Sequence, residues 1–259
     1  NKDWLDVLTA HARKRSLKTG VELSHTLFNT DIAKELYPEM MQVNCYGQQI
    51  EGFLGMLCSN HPEVREFQKR MFLETIRAHD IDFIQTCLIT FYPGSSIQPP
   101  WFAKQWMKDH QSALSNLLGL ANGGCFCKHC RDLARSMGYD WDLIVRDMRC
   151  LHDIANATVL ANQDHVMENH LLMTGSATEA LLLMEYPGLL EFLKFRIDSV
   201  TKLFQEVSDL IHAQQPNIDF RYNNFVHVAE HAGLHFKRIA PYIDSVRDCE
   251  YSEHFGAPD

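Results

Sequence analysis

Residues 125 to 130 read CFCKHC, and three cysteines in six positions restrict the fold more than any other stretch of this chain. Thiolates spaced C-x-C-x2-C sit on short arms that converge on one tetrahedral ion, each sulfur about 2.3 Å from zinc. Such a knuckle needs a fourth ligand from elsewhere, so it ties its own segment to a remote one. Other readings compete. The thiols can be separate buried side chains, because free cysteine behaves as a small hydrophobe. They can enter disulfides, although pairing two leaves one over. They can form a redox C-x-x-C pair, which normally opens a helix directly after a strand. His129 is a further donor, but it sits between two of the cysteines and would disturb their geometry.

Around the cluster, apolar residues alternate between helical and extended spacing. Residues 2 to 15 read as a helix, and residues 19 to 25 as a strand with Val21 and Leu23 alternating. A polar and aromatic loop containing NCYG follows. A helix is expected over residues 62 to 79, with Val64, Phe67, Met71, Phe72 and Ile76 on one face and Asn60 and Pro62 as its start signal. Residues 81 to 91, IDFIQTCLITF, are almost continuously apolar, as a parallel strand buried on both faces requires. A long excursion over residues 92 to 188 then intervenes, with two or three helices of its own. The pattern resumes with a long helix, striped by Leu193, Val200, Leu203, Val207 and Ile211 and stopped by Pro216. A strand over residues 218 to 223, a helix over 226 to 240 and a strand over 245 to 250 complete it. Four strands alternating with helices predict a parallel sheet wrapped by helices, open or closed into a barrel. One domain spanning residues 1 to 259 is expected, with 92 to 188 as an inserted helical subdomain carrying the cysteines.

The 259 residues are 46% apolar, enough for a core that needs no disulfides. A formal charge of −9 without any basic run offers no footprint for nucleic acid or an anionic membrane. No apolar run approaches the ~18 residues of a membrane span. Neutral or cationic ligands fit better, and a homo-oligomer is allowed. The chain opens at Asn1 without a methionine, so upstream material, any signal peptide included, is expected to be missing and the compartment stays open.

The stretch LCSNHPEVREF, residues 57 to 67, followed by the apolar strand and CFCKHCRDLARSMGYD, resembles glycoside hydrolase family 42 β-galactosidases and the related barrels called hypothetical glycosyl hydrolase 6. The resemblance implies a (β/α)8 TIM-type barrel, incomplete in this chain, with a long zinc-stapled helical insertion. It implies a structural zinc held by Cys58, Cys125, Cys127 and Cys130, because the family sets one cysteine before a proline-containing helix start and three after the fourth barrel strand. It also implies a carbohydrate substrate and O-glycosyl hydrolysis by paired carboxylates. The chain departs from the family at TCLITFYPG, where an Asn-Glu pair bearing the general acid is missing.

Reactive groups of a barrel lie at the C-terminal ends of its strands. The last strand ends RDCEYSEHFG, making Glu250 and then Glu253 the catalytic candidates. Glycoside cleavage sets two carboxylates about 5 Å apart for retention, or about 6.5 to 9.5 Å apart for inversion. Glu22, His25, Asn44, Tyr46, Tyr92 and Asn223 follow or end strands and suit hydroxyl-rich ligands. Glu22 can instead belong to an ion pair. Trp101 and Trp106 can stack on a sugar or anchor the insertion. Two alternatives stand beside hydrolysis: a barrel that binds carbohydrate without cleaving it, and a zinc metallopeptidase using HVAEH, residues 227 to 231, which fits H-x-x-E-H.

Overall fold

The computed structural model describes residues 3–24, 27–50, 55–87, 91, 121, 123–160, 177–224 and 232–248. Among these, eight α-helices and six strands form a mixed α/β fold. In chain order they are α1 (Trp4–Arg13), β1 (Gly20–Ser24), β2 (Leu27–Phe28), α2 (Thr30–Leu36), β3 (Gly55–Met56), α3 (Pro62–Ala78) and β4 (Phe83–Cys87). Then follow α4 (Lys128–Ser136), α5 (Trp141–Leu160), α6 (Ala177–Glu185), α7 (Pro187–Gln214), β5 (Asp219–Asn224), α8 (Phe236–Ile239) and β6 (Ser245–Asp248).

Four strands pair in parallel in the order β1-β4-β5-β6, the order in which the chain makes them. A doubly wound sheet reverses its strand order at a switch point, and these four strands do not. Crossovers between parallel strands are right-handed, so an unreversed progression keeps its helices on one face. α3 and α7 lie together there: Phe72 meets Phe220 edge-on at 6.0 Å, and Phe204 meets Tyr222 at 5.7 Å. Ile84, Thr86, Phe220 and Tyr222 point into this layer and are buried. Strand alternation sends Glu22, Gln85, Arg221, Asn223 and Arg247 to the opposite face.

α3 and α7 are also joined by charge. Arg65 donates Nε and Nη2 to the two carboxylate oxygens of Glu206 at 2.8 and 3.1 Å, a fork that suits guanidinium geometry. Burial pushes the Glu206 carboxyl up, but the hydrogen bond and charge of Arg65, with Lys69 and Lys202, hold it below its ordinary 4.5.

The excursion packs α4 and α5 against the first half of α7. Phe126 stacks on Phe192 at 4.7 Å and Trp141 meets Phe195 edge-on at 5.8 Å. Gly124, at φ +79°, is required there, because a Cβ would stand 2.3 Å from the Phe192 ring. Pro187 opens α7 at a position where its missing N–H costs nothing. The next donor, Gly188 N–H, is taken by the buried Asp147 of α5 at 2.7 Å, so one helix caps another. A Cβ on Gly188 would sit 2.6 Å from the Leu143 carbonyl.

A smaller layer precedes α3. β2 and β3 pair antiparallel, and Ala33, Met41, Leu57 and Val64 form their own buried cluster. α2 falls where the sequence pattern suggested only a loop. The helix expected over residues 226 to 240 is corrected as well: residues 225–231 lie outside the described residues, and 232–235 form a turn before the short α8. Gly233 causes the break, at φ +91° and so close to α7 that a Cβ would meet the Arg196 carbonyl at 2.8 Å. Among the described residues no helix is long and apolar enough to cross a membrane.

Two outcomes follow for stability. Asp147→Ala removes a buried cap from a helix start and is expected to lower unfolding free energy by about 1 to 2 kcal/mol, read by chemical denaturation. Glu206 has a lowered folded pKa, so its stabilisation is full above pH 4.5 and fades as pH falls through the folded value. The melting temperatures of wild type and Glu206→Gln should therefore differ at neutral pH and converge in acid.

Candidate functional site

In a β-α-β unit the helix runs back against the strands, so the N-terminal ends of α3 and α7 lie where the parallel strands finish. Cys58 stands just before α3. Its N–H donates to the Met40 carbonyl at 2.7 Å and its carbonyl accepts from His61 N–H at 2.9 Å, which holds the sulfur inward. The knuckle arrives from the excursion, fastened by Phe126 N–H on the Val43 carbonyl at 2.9 Å, with Cys127 at the N-cap position of α4.

The sulfurs of Cys58, Cys125, Cys127 and Cys130 lie within 4.8 Å of one another. Cys58 and Cys130 are 3.5 Å apart, and Cys127 is 3.7 Å from Cys58. These are free thiols, since a disulfide needs about 2.05 Å. A tetrahedron with arms of about 2.3 Å separates its sulfurs by about 3.8 Å, so the donor set and its spacing fit zinc. The electrostatics agree. Hydrogen bonds from Cys125, Cys130 and Cys58 pull the Cys127 thiol far down. Cys58 is pushed up, chiefly by its hydrogen bonds with Cys125 and Cys127, and Cys130 chiefly by burial. Without a cation the four cannot all ionise in a buried pocket; a soft dication removes that conflict. Four protein ligands leave no open position, which is the pattern of a structural ion. His129 stays outside this group, its ring edge-on to His61 at 4.4 Å.

Asn60 does not cap α3. The cap is His61, whose Nδ1 accepts from Glu63 N–H at 3.3 Å, while the Asn60 amide nitrogen donates to Cys130 Sγ at 3.3 Å. No sequence pattern marks that second task, because it depends on where Cys130 arrives.

The strand face away from the helices holds a second cluster. Glu22 and Asn223, both expected to bind ligand, come together: Asn223 Nδ2 donates to a Glu22 carboxylate oxygen at 3.4 Å. Two further residues join them, Gln85 through its amide Nε2 and Arg247 through Nη1 at 3.3 Å. Glu22 is thus one member of an ion pair and also an acceptor ringed by donors. Gln85 and Arg247 were legible only as polar residues at alternate strand positions; their meeting across four strands is a matter of register. The cluster offers several donors and one carboxylate, which suits hydroxyl groups but is one carboxylate short of glycoside cleavage.

Asn44 and Tyr46 belong to a third place. Asn44 Oδ1 accepts from the N–H groups of Tyr46 and Gln48 at 3.0 Å, closing the NCYG turn. Tyr46 donates to Asp153 of α5 at 2.7 Å, a bond that pushes its phenol up to about 12, and Arg149 lies over its ring. A cleft of about 690 Å³ opens beside them, lined in part by Lys128, Arg131, Arg135, Trp141, Arg146 and Arg149. Part of its positive charge is paired, with Arg135 on Asp142 at 3.0 Å and Arg146 on Asp147 at 2.7 Å. His25, Tyr92, Trp101, Trp106, the HVAEH histidines, Glu250 and Glu253 lie outside the described residues.

No protein-family profile matches the chain, and no curated protein does. Solved structures do, β-galactosidases among them. That of the Antarctic haloarchaeon Halorubrum lacusprofundi superposes with a TM-score of 0.53 at 15% identity, over 96% of this chain and 32% of its own. That of the psychrophilic Marinomonas ef1 gives 0.50 at 12% identity, over 96% of this chain and 33% of its own. The chain thus spans about a third of the length of these structures. At such identity the likeness is one of fold.

If the four sulfurs hold zinc, a strong chelator should lower the melting temperature by an amount of the order of 10 °C, since a tightly bound ion contributes roughly 4 kcal/mol. In Cys58→Ser that drop should largely vanish, and bound metal by elemental analysis should fall from one per chain.

Proposed function

We propose that the chain is a glycoside-hydrolase-like protein acting on carbohydrate, built as part of a (β/α)8 barrel related to family 42 and stapled by zinc through Cys58, Cys125, Cys127 and Cys130. The observation that carries this reading is the meeting of Cys58 with the three-cysteine knuckle at the strand-end rim of an unreversed parallel sheet. The zinc supplies a cross-link between the start of α3 and the inserted residues 92 to 188, and no chemistry on substrate. The likeness in fold to β-galactosidases supports the same reading.

Sugar hydroxyls are met by the strand-face cluster, with Glu22 accepting and Gln85, Asn223 and Arg247 donating. His25 and Tyr92, which follow β1 and β4 in the sequence, are assigned to the same ligand, as are Asn44 and Tyr46. The carboxylates that cleave are Glu250, assigned first, and Glu253, both just beyond β6. One protonates the leaving oxygen while the other attacks or activates water.

A second reading is a barrel that binds carbohydrate without cleaving it. It is favoured by TCLITFYPG, where the family's Asn-Glu pair is missing. Turnover of aryl glycosides and oligosaccharides separates the two. Hydrolysis should fall by about 10² to 10⁴-fold in Glu250→Gln. Turnover untouched by Glu250→Gln and by Glu253→Gln rejects both assignments. Oligosaccharide binding that Asn223→Ala weakens, with no turnover in wild type, selects the binding barrel.

A further inference from the structure

Asn60 is 8% exposed and stands two residues after Cys58. Its amide nitrogen donates to Cys130 Sγ at 3.3 Å. Its amide oxygen accepts from Ser199 Oγ of α7 at 2.9 Å and from Arg65 Nη1 of α3 at 3.4 Å. The Arg65 guanidinium, which can only donate, decides which way the amide faces. Turned over, the amide would set an N–H group against that donor and a lone-pair oxygen against the sulfur.

We infer that Asn60 is a positioning residue of the metal centre: a pre-oriented N–H donor that stabilises negative charge on Cys130 when the four sulfurs close on zinc. This rests on the zinc reading above. Four thiolates around a divalent ion carry a net charge of about −2, and here Cys58, Cys125 and Cys130 are out of contact with water. Buried charge of that kind requires hydrogen-bond donors. Hydrogen bonds to ligating atoms fix their orientation and adjust how much electron density they give the metal. Arg65 adds a cation one bond further out, itself neutralised by Glu206, so the helices that cover the sheet also hold the amide.

The test uses the full chain loaded with zinc alone or cobalt(II) alone. Asn60→Leu keeps the volume and removes the donor; Asn60→Asp keeps the shape and sets a carboxylate against the sulfur. Zinc affinity, measured against a chromophoric chelator, should fall about 10- to 100-fold in both. The sulfur-to-cobalt charge-transfer band of Asn60→Leu should move to longer wavelength, because a sulfur without its N–H partner yields electrons more readily. Ser199→Ala, which loosens the amide, should give a smaller shift of the same sign. A role confined to packing would lower the melting temperature of the metal-free chain and leave the band in place, which overturns the inference. So does an unchanged zinc affinity in Asn60→Leu while wild type binds one zinc. Wild type that binds no zinc overturns the metal reading instead. Where Asn60→Leu does not fold, an unmoved band in Ser199→Ala is decisive against it.

Discussion

The convergence of Cys58 on Cys125, Cys127 and Cys130 is the constraint on which the remaining architecture depends. It fixes the start of α3 relative to the start of α4, although a buried strand and a long excursion separate them in the chain. The small layer under β2 and β3 exists at that spot because Cys58 hangs from the Met40 carbonyl and the knuckle from the Val43 carbonyl. A group of four thiols in a buried pocket is poorly stable as an isolated object, since charge there is costly and neutral thiols bond weakly. Such a group suits a cradle for a soft cation.

Asn60 links that cradle to the frame. Through Ser199 it reaches α7, and through Arg65 and Glu206 it reaches the contact between the two helices that cover the sheet. Asp147 does comparable work at the other junction, where α5 caps the N-terminus of α7. The excursion is therefore joined to the sheet through polar atoms of defined direction as well as through the aromatic seam of Phe126, Phe192, Trp141 and Phe195. Apolar packing supplies most of the cohesion, while directional bonds set the register between helices.

The other consequence of strand order lies on the far face. Parallel register pairs Glu22 with Gln85 and Asn223 with Arg247, and the Glu22 carboxylate reaches across the sheet to the Asn223 amide and the Arg247 guanidinium. Among the described residues the donors Gln85, Asn223 and Arg247 gather around one carboxylate, Glu22, an arrangement that suits hydroxyl groups.

What the residues alone determined follows from local physics. Helical spacing placed α1, α3 and α7 within a few positions, and the apolar run around Ile84 announced a buried parallel strand, because period and burial are written along the chain. The C-x-C-x2-C spacing set three sulfurs close together for the same reason: its geometry is local. Spacing could not name the fourth sulfur, and Cys58 came from a family resemblance. The break at Gly233 escaped the pattern, since its cause is the nearby Arg196 carbonyl of α7. Asn60 read as a helix signal, yet its partner is a cysteine 70 residues away. Tertiary structure alone decided these contacts, as it decided that Gln85 and Arg247 stand beside Glu22. A side chain's partner across the fold is set by the register and packing of whole elements, and no stretch of sequence short enough to read by its own periodicity contains that information.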